Sequence, residues 1–158
     1  MRATPDAFTS TWQEEVERPL QWSIRRIETN FILGAFDGKL CGTAGLGVPV
    51  RLQERHKATL FGMAVAASHA GRGIGRRLVE GIVSHAAGQP HVMQVILSVS
   101  AGNEAAERLY RGCGFEVYGR EPRAVMMDGL AIAKLHMILM LDRHQQAIEE
   151  GVARRFVP

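Results

Sequence analysis

The chain has only two cysteines, Cys41 and Cys113, in 158 residues. They form neither a metal-ligand spacing nor a disulfide framework, and read as reduced thiols of a cytoplasmic protein. No apolar run approaches the roughly 20 residues of a membrane span. The opening stretch "MRATPDAFTSTWQEEVERPL" has no apolar core of signal-peptide length. A membrane protein and a disulfide scaffold are therefore poor fits. Repeats, low-complexity tracts and Pro/Ser-rich linkers are missing as well. That leaves one domain over residues 1–158, with 142–158 as a charged, peripheral and helical C-terminal tail.

What the chain does hold is ordinary for a globular domain: 46% hydrophobic and 22% charged residues, which fits neither disorder nor a coiled coil. Its net charge of +3 marks a mildly basic surface, open to a nucleic acid, a membrane or a polyanionic small molecule. "TSTWQEEVERPLQWSIRRIE" predicts a helix, with caps offered by Thr9 to Thr11 and with Leu20, Ile24 and Ile27 at helical spacing. Pro19 is tolerable there only near a helix start. "NFILGAF" and "KLCGTAGLGV" read as a strand pair around an Asp37-Gly38 turn, the second strand weakened by glycine and bulged. "ATLFGMAVA" is a short strand. After it, Ile74, Leu78 and Ile82 mark the apolar face of a helix that Gly88 and Pro90 end. "HVMQVILSVS" is a strand buried on both faces. Asn103 can cap the helix "EAAERLYRGCG", closed by Gly112 and Gly114. "FEVYGRE" and "AIAKLHMILML" are two further strands joined by the loop "GREPRAVMMDG", residues 119–129. The order predicts a mixed α/β sheet.

The densest signal is "SHAGRGIGRRLVEG", residues 68–81, with Gly71, Gly73 and Gly75 alternating among arginines just before a helix. A glycine loop between strand and helix can present backbone N–H groups to an anion, helped by the helix dipole. It can also be a plain tight turn. The phosphate loop that ends in Gly-Lys-Ser/Thr fails here, because Gly75 is followed by Arg76 and Arg77. The dinucleotide fingerprint fails too, since it wants glycine where Arg76 or Leu78 stands. The flanking arginines, the preceding strand and the amphipathic helix favour a pyrophosphate cradle.

"FGMAVAASHAGRGIGRRLVEGIV" resembles the central motif of the GNAT superfamily of acyl-CoA-dependent N-acetyltransferases. "NEAAERLYRGCGFEVYG" resembles its second signature at Asn103, Ala106, Leu109, Tyr110, Gly114 and Phe115. The resemblance spans about residues 10 to 142. It implies a mixed, mostly antiparallel sheet flanked by helices and splayed between the family's fourth and fifth strands, with acetyl-CoA in the splay. On this resemblance the pantetheine arm pairs with Met63, Ala64 and Val65, and the Met63 amide polarises the acetyl carbonyl. The pyrophosphate lies on the amides of Gly71, Arg72, Gly73, Ile74, Gly75 and Arg76. Asn103 contacts the coenzyme arm or simply caps its helix, and Tyr110 protonates the leaving thiolate. Two departures stand out. Ala70 replaces the usual Arg or Gln, for which Arg72, Arg76 or Arg77 compensates. The second is that relatives carry a strand and helix before the segment that this sequence opens on. Either the sheet lacks its first edge strand, or that strand comes from elsewhere, or the start is misassigned or cut. An unpaired edge invites a homodimer.

The base and the acceptor are less legible. The strand "ATLFGMAV" holds no acid or histidine, and Glu54 and His56 just before it are ordinary solvated side chains or reach the site through water. His69 reads as a loop residue and His136, among apolar neighbours, as core packing. Glu121, Arg123 and Asp128 contact an acceptor or form an ordinary polar hairpin. Trp12 and Trp22 read as core rather than ligand platform. Cys113, in a helix-ending turn without a histidine partner, is not an acyl carrier. Nucleic-acid binding through "RLQERHK" and "GRGIGRR" lacks interleaved aromatics. The reading is therefore a cytoplasmic, metal-free N-acetyltransferase that moves acetyl from acetyl-CoA to a primary amine. A non-catalytic acyl-CoA sensor or scaffold is the alternative.

Overall fold

The computed structural model describes residues 17–141. Thr9 to Thr11, Trp12 and the C-terminal tail lie outside the described residues. Pro19 immediately precedes helix α1 (Leu20–Thr29), the place where its fixed φ helps and its missing N–H costs no hydrogen bond. None of the residues of α1 is buried, and the stripe of Leu20, Ile24 and Ile27 is exposed. Its link to the sheet is cationic instead: the Arg26 guanidinium sits 4.3 Å above the Phe61 ring. Trp22, expected in the core, is exposed and stacked with Arg18 and Arg26.

Six strands follow: β1 (Phe31–Asp37), β2 (Lys39–Gly47), β3 (Lys57–Val65), β4 (Gln94–Ser100), β5 (Glu116–Met127) and β6 (Leu130–Met140). Helix α2 (Ile74–Ala87) connects β3 to β4, and α3 (Glu104–Gly112) connects β4 to β5. The sheet order is β1-β2-β3-β4-β6-β5, and every neighbouring pair is antiparallel except β3–β4. That exception follows from α2, because parallel neighbours need a crossover connection.

The core forms where α2 lays Leu78, Val79, Ile82, Val83 and Ala86 on the sheet, each larger aliphatic contributing about 1.5–3 kcal/mol on burial. Two of the glycines that weaken β2 make room for packing, Gly42 on this face and Gly45 on the opposite one. A Cβ on Gly42 would lie 3.1 Å from the side chains of Ile74 and Leu78, and one on Gly45 only 2.6 Å from the Phe61 ring. Leu97, Met137 and Val117 align across β4, β6 and β5 and join this core. Their strand neighbours Ser98 and His136 therefore belong to the opposite face, the one α1 partly covers through Arg26 and Phe61.

Residues 119–129 correct the loop expectation. β5 continues to Met127, and only Asp128 and Gly129 turn, at φ 50° and 79°, the two left-handed residues of a tight hairpin. Pro122 disguised the strand. It sits where the β5–β6 register slips between Glu121 and Val125, on an edge strand, where a missing N–H is tolerated.

Candidate active site

β3 and β4 pair over three positions only, Lys57, Ala58 and Thr59 with Gln94, Val95 and Ile96. From Leu60 and Leu97 onward the strands diverge and leave a V-shaped gap in the middle of the sheet. A bulge bends β3 away. Thr43 pairs with Ala64 but Gly45 with Phe61, so β3 spends three residues where β2 spends two. Gly62 supplies the left-handed step at φ 60°, and the Thr43 hydroxyl donates to its carbonyl at 2.8 Å. Bulges of this kind re-aim a strand next to functional sites. Met63, Ala64 and Val65 all lie on the divergent arm.

At the end of that arm a short 3-10 turn (Ala67–His69) leads into the glycine loop. Gly71 and Gly73 both have φ 75°, and a Cβ on either would meet nothing within 4 Å. They are glycine for their backbone dihedral, and the space in front of them is open. Gly73 precedes α2 without a side-chain cap, so no side chain occupies the first-turn N–H groups. Gly75 has a different reason. Its Cβ would lie 3.2 Å from the ends of Leu109 and Met63, so the position packs β3, α2 and α3 together rather than clearing space for a ligand. Ile74 packs against the core.

The arginines divide. Arg72 is exposed, 3.8 Å from Asp37, and His69 bonds the same carboxylate at 3.2 Å and Ser68 at 2.9 Å. Arg76 is turned away from the loop. It donates to Glu80 at 2.8 Å and to the Gly112 carbonyl at 3.2 Å, tying α2 to the end of α3. Arg77 is exposed.

Asn103 caps α3, its Oδ1 accepting from the Ala106 amide at 3.2 Å. Tyr110 is buried, its ring edge-on to Phe115 at 5.9 Å. Burial, with a smaller contribution from Cys113, pushes its phenol up to about 12, so it holds its proton through the neutral range. Burial also raises the half-buried Cys113 thiol.

The family model for acetyltransferases of the GNAT family matches residues 1–115. The chain belongs to the GNAT family. Among solved structures, the ribosomal-protein-alanine N-acetyltransferase of Brucella melitensis is 29% identical, with 76% of this chain and 75% of that one covered at a TM-score of 0.68. The Salmonella typhimurium yncA protein, solved with its cofactor acetyl-CoA, is 21% identical over 85% of this chain and 79% of that one, at 0.70. The smu.2055 protein of Streptococcus mutans reaches 0.75 at 21% identity, covering 87% and 85%. The last two likenesses speak to the fold. No match was found among curated proteins.

In this GNAT chain the splay separates the two ends of β3. Glu54, paired with Lys57 at 3.3 Å, and His56 stand at the closed end, about 20 Å of strand from Met63 at 3.3 Å per residue. Arg123 lies exposed on edge strand β5. The structure brings none of the three beside Met63.

It does assemble a cluster on the second face. His136, expected in the core, is 30% exposed in its side chain. Its Nδ1 lies 2.8 Å from Ser98 Oγ and its Nε2 3.1 Å from Glu121 Oε2. Strand alternation held the clue: His136 shares a parity with Lys134, and Ser98 interrupts the apolar run of β4. Ser98 was overlooked because that run read as buried on both faces.

Proposed function

We propose that this GNAT chain transfers an acetyl group from acetyl-CoA to a primary amine, on a small molecule or a protein, by direct attack in a ternary complex. The observation that carries the reading is the continuity of the V with the uncapped start of α2. One bulged strand runs from a gap in the sheet straight into a left-handed glycine loop. The fit to acetyl-CoA is good on this chain's own features. A Cβ at Gly71 or Gly73 would stand in open space, so glycine there leaves the loop amides bare toward a pyrophosphate. The divergent arms of β3 and β4 lack each other as hydrogen-bond partners, and a pantetheine amide can pair with such a strand edge.

Acetyl-CoA supplies an activated acetyl thioester. The amides of residues 71–76 hold its diphosphate, with Arg72 and Arg77 adding charge. Met63, Ala64 and Val65 present backbone groups to its arm, and the Met63 amide donates to the carbonyl oxygen as negative charge develops there. The bulge that Thr43 fixes aims that amide. Tyr110, kept protonated by burial, gives its proton to the departing sulfur. Asn103 is occupied as a helix cap through Oδ1, and its amide nitrogen is the group left to face the coenzyme arm.

Among the described residues no helix is long and apolar enough to cross a membrane, and we place the reaction in the cytoplasm. The name of the Brucella relative makes an alanine-initiated peptide one of the first acceptors to try. The test is calorimetric titration of the chain with acetyl-CoA and with CoA, beside Gly73→Val, followed by thiol-release assays on amines. Saturable binding abolished by Gly73→Val, with turnover that depends on Tyr110, supports the reading. Binding without turnover on any amine tried would leave the sensor alternative. No binding by a folded chain would remove both.

A further inference from the structure

Three side chains from three strands form one hydrogen-bonded chain on the sheet face turned away from α2. Ser98 is on the divergent arm of β4, so it stands on a wall of the V. His136 lies opposite it in register on β6, and Glu121 reaches His136 from β5. A carboxylate only accepts, so Nε2 carries the hydrogen toward Glu121. Nδ1 keeps the lone pair that the Ser98 hydroxyl donates to. The backbone register brings β5 and β6 together here. Gly119 pairs with His136, and the register slips by one residue at Tyr118. A Cβ at Gly119 would stand 3.9 Å from His136 Cβ and Cδ2, at ordinary contact distance. Ser98 and Glu121 are exposed, so the cluster opens to solvent on the face opposite the glycine loop's helix.

We propose that Ser98 and His136 remove the proton from the acceptor amine, with Glu121 as the positioning residue. The proposal rests on the acetyl-transfer reading above and assigns the base that β3 does not supply. The amine enters from this second face. The ammonium gives one proton to Ser98 Oγ while the Ser98 hydroxyl proton passes to His136 Nδ1, and the imidazolium so formed faces Glu121. The neutral nitrogen's lone pair then forms the C–N bond to the acetyl carbon. The C–S bond breaks with its electron pair on sulfur. Tyr110 protonates that sulfur, and the second nitrogen proton replaces it on the phenolate. His136 returns its proton to water. An ammonium and a thioester thus become an amide, a thiol and one released proton.

The groups that face His136 are Ser98 from β4 and Glu121 and Tyr118 from β5. Lys134 shares its side of β6. The test compares the wild type with His136→Gln, Ser98→Ala and Glu121→Gln by thiol release. The acceptors are an alanine-initiated peptide, a lysine-containing peptide and spermidine, with trifluoroethylamine as a weakly basic amine that is largely neutral at neutral pH. His136→Gln is expected to lower kcat/KM for the basic amines by about a hundredfold or more at neutral pH, and Glu121→Gln by about tenfold. Calorimetric affinity for CoA stays at the wild-type value. The His136→Gln loss shrinks at alkaline pH and on trifluoroethylamine, where no proton needs removing.

A His136→Gln variant with wild-type kcat/KM and an unchanged pH profile overturns the relay and leaves the acetyltransferase reading standing. A loss equal at every pH and for every amine assigns His136 a structural role and also overturns it. A wild type that binds CoA but acetylates none of these amines overturns the acetyltransferase reading, and the relay with it.

Discussion

Replacing Tyr110 by phenylalanine separates a buried phenol's two roles. Burial raises the Tyr110 phenol to about 12, against an ordinary value near 10 in an unfolded chain. Below about pH 10 both states keep the proton and the shift has no effect on stability. Between about pH 10 and 12 the unfolded chain ionises while the folded one resists, so stability falls as pH rises. Linkage puts the loss at about 1.4 kcal/mol at about pH 11 and about 2.7 kcal/mol once both states have ionised. Phenylalanine has no proton to lose and lacks that slope. Urea unfolding of both chains, followed by tryptophan fluorescence at mildly and strongly alkaline pH, reads the difference directly. The wild type's stability relative to Tyr110→Phe should drop by about 1.4 kcal/mol between about pH 8.5 and 11. Other ionisations cancel in that comparison. A gap that stays constant with pH would refute the burial argument. In the same variant, turnover should fall by about a hundredfold while CoA binding persists, because only the proton donor is removed.

Gly73→Ala should cost about 1–2 kcal/mol of stability for its left-handed backbone and weaken CoA binding, whereas Gly75→Ala, facing only flexible side-chain ends, should be milder on binding; calorimetry and thermal melts compare them. Gly45→Ala drives a Cβ into the Phe61 ring at 2.6 Å and should destabilise by about 1–3 kcal/mol in denaturant titrations. Cys113, its thiol raised by burial, should alkylate slowly at neutral pH, and Cys113→Ala should keep its turnover. Rapid labelling with loss of activity would reopen a covalent route.

Much of the framework was legible because local rules and tertiary demands agree. Asp37-Gly38, the start of α2 at Ile74 and the Asn103 cap each follow from one residue's backbone or side-chain preference. The splay was legible only through the resemblance. A bulge at Gly62 depends on a hydroxyl nineteen positions away, at Thr43, and no local pattern announces it. The long β5 was missed because Pro122 and a run of charges imitate a loop, while edge position and a register slip remove the objection to them. The Ser98, His136 and Glu121 cluster was missed because its members come from three strands. His136 is surrounded by apolar residues in sequence but, by alternation, not in space. Arg76 carries a second contact set that its place in the motif does not announce. Its backbone amide stays in the loop, while Glu80 one turn on and the Gly112 carbonyl at the end of α3 hold its guanidinium.

The gap between β3 and β4 divides the hydrogen-bonded ladder into two panels joined at three positions. Each panel can open without tearing the other's strand pairing. A molecule lying in the gap and bonding both arms stitches them, so that neither opens until it leaves. At a hundredfold excess over its Kd such a molecule adds about 2.7 kcal/mol to the opening of either panel. Amide exchange at Leu60–Val65 and at Leu97–Val99 should then slow together, by about a hundredfold. The break that interrupts the sheet becomes, once filled, the seam that makes its halves open as one.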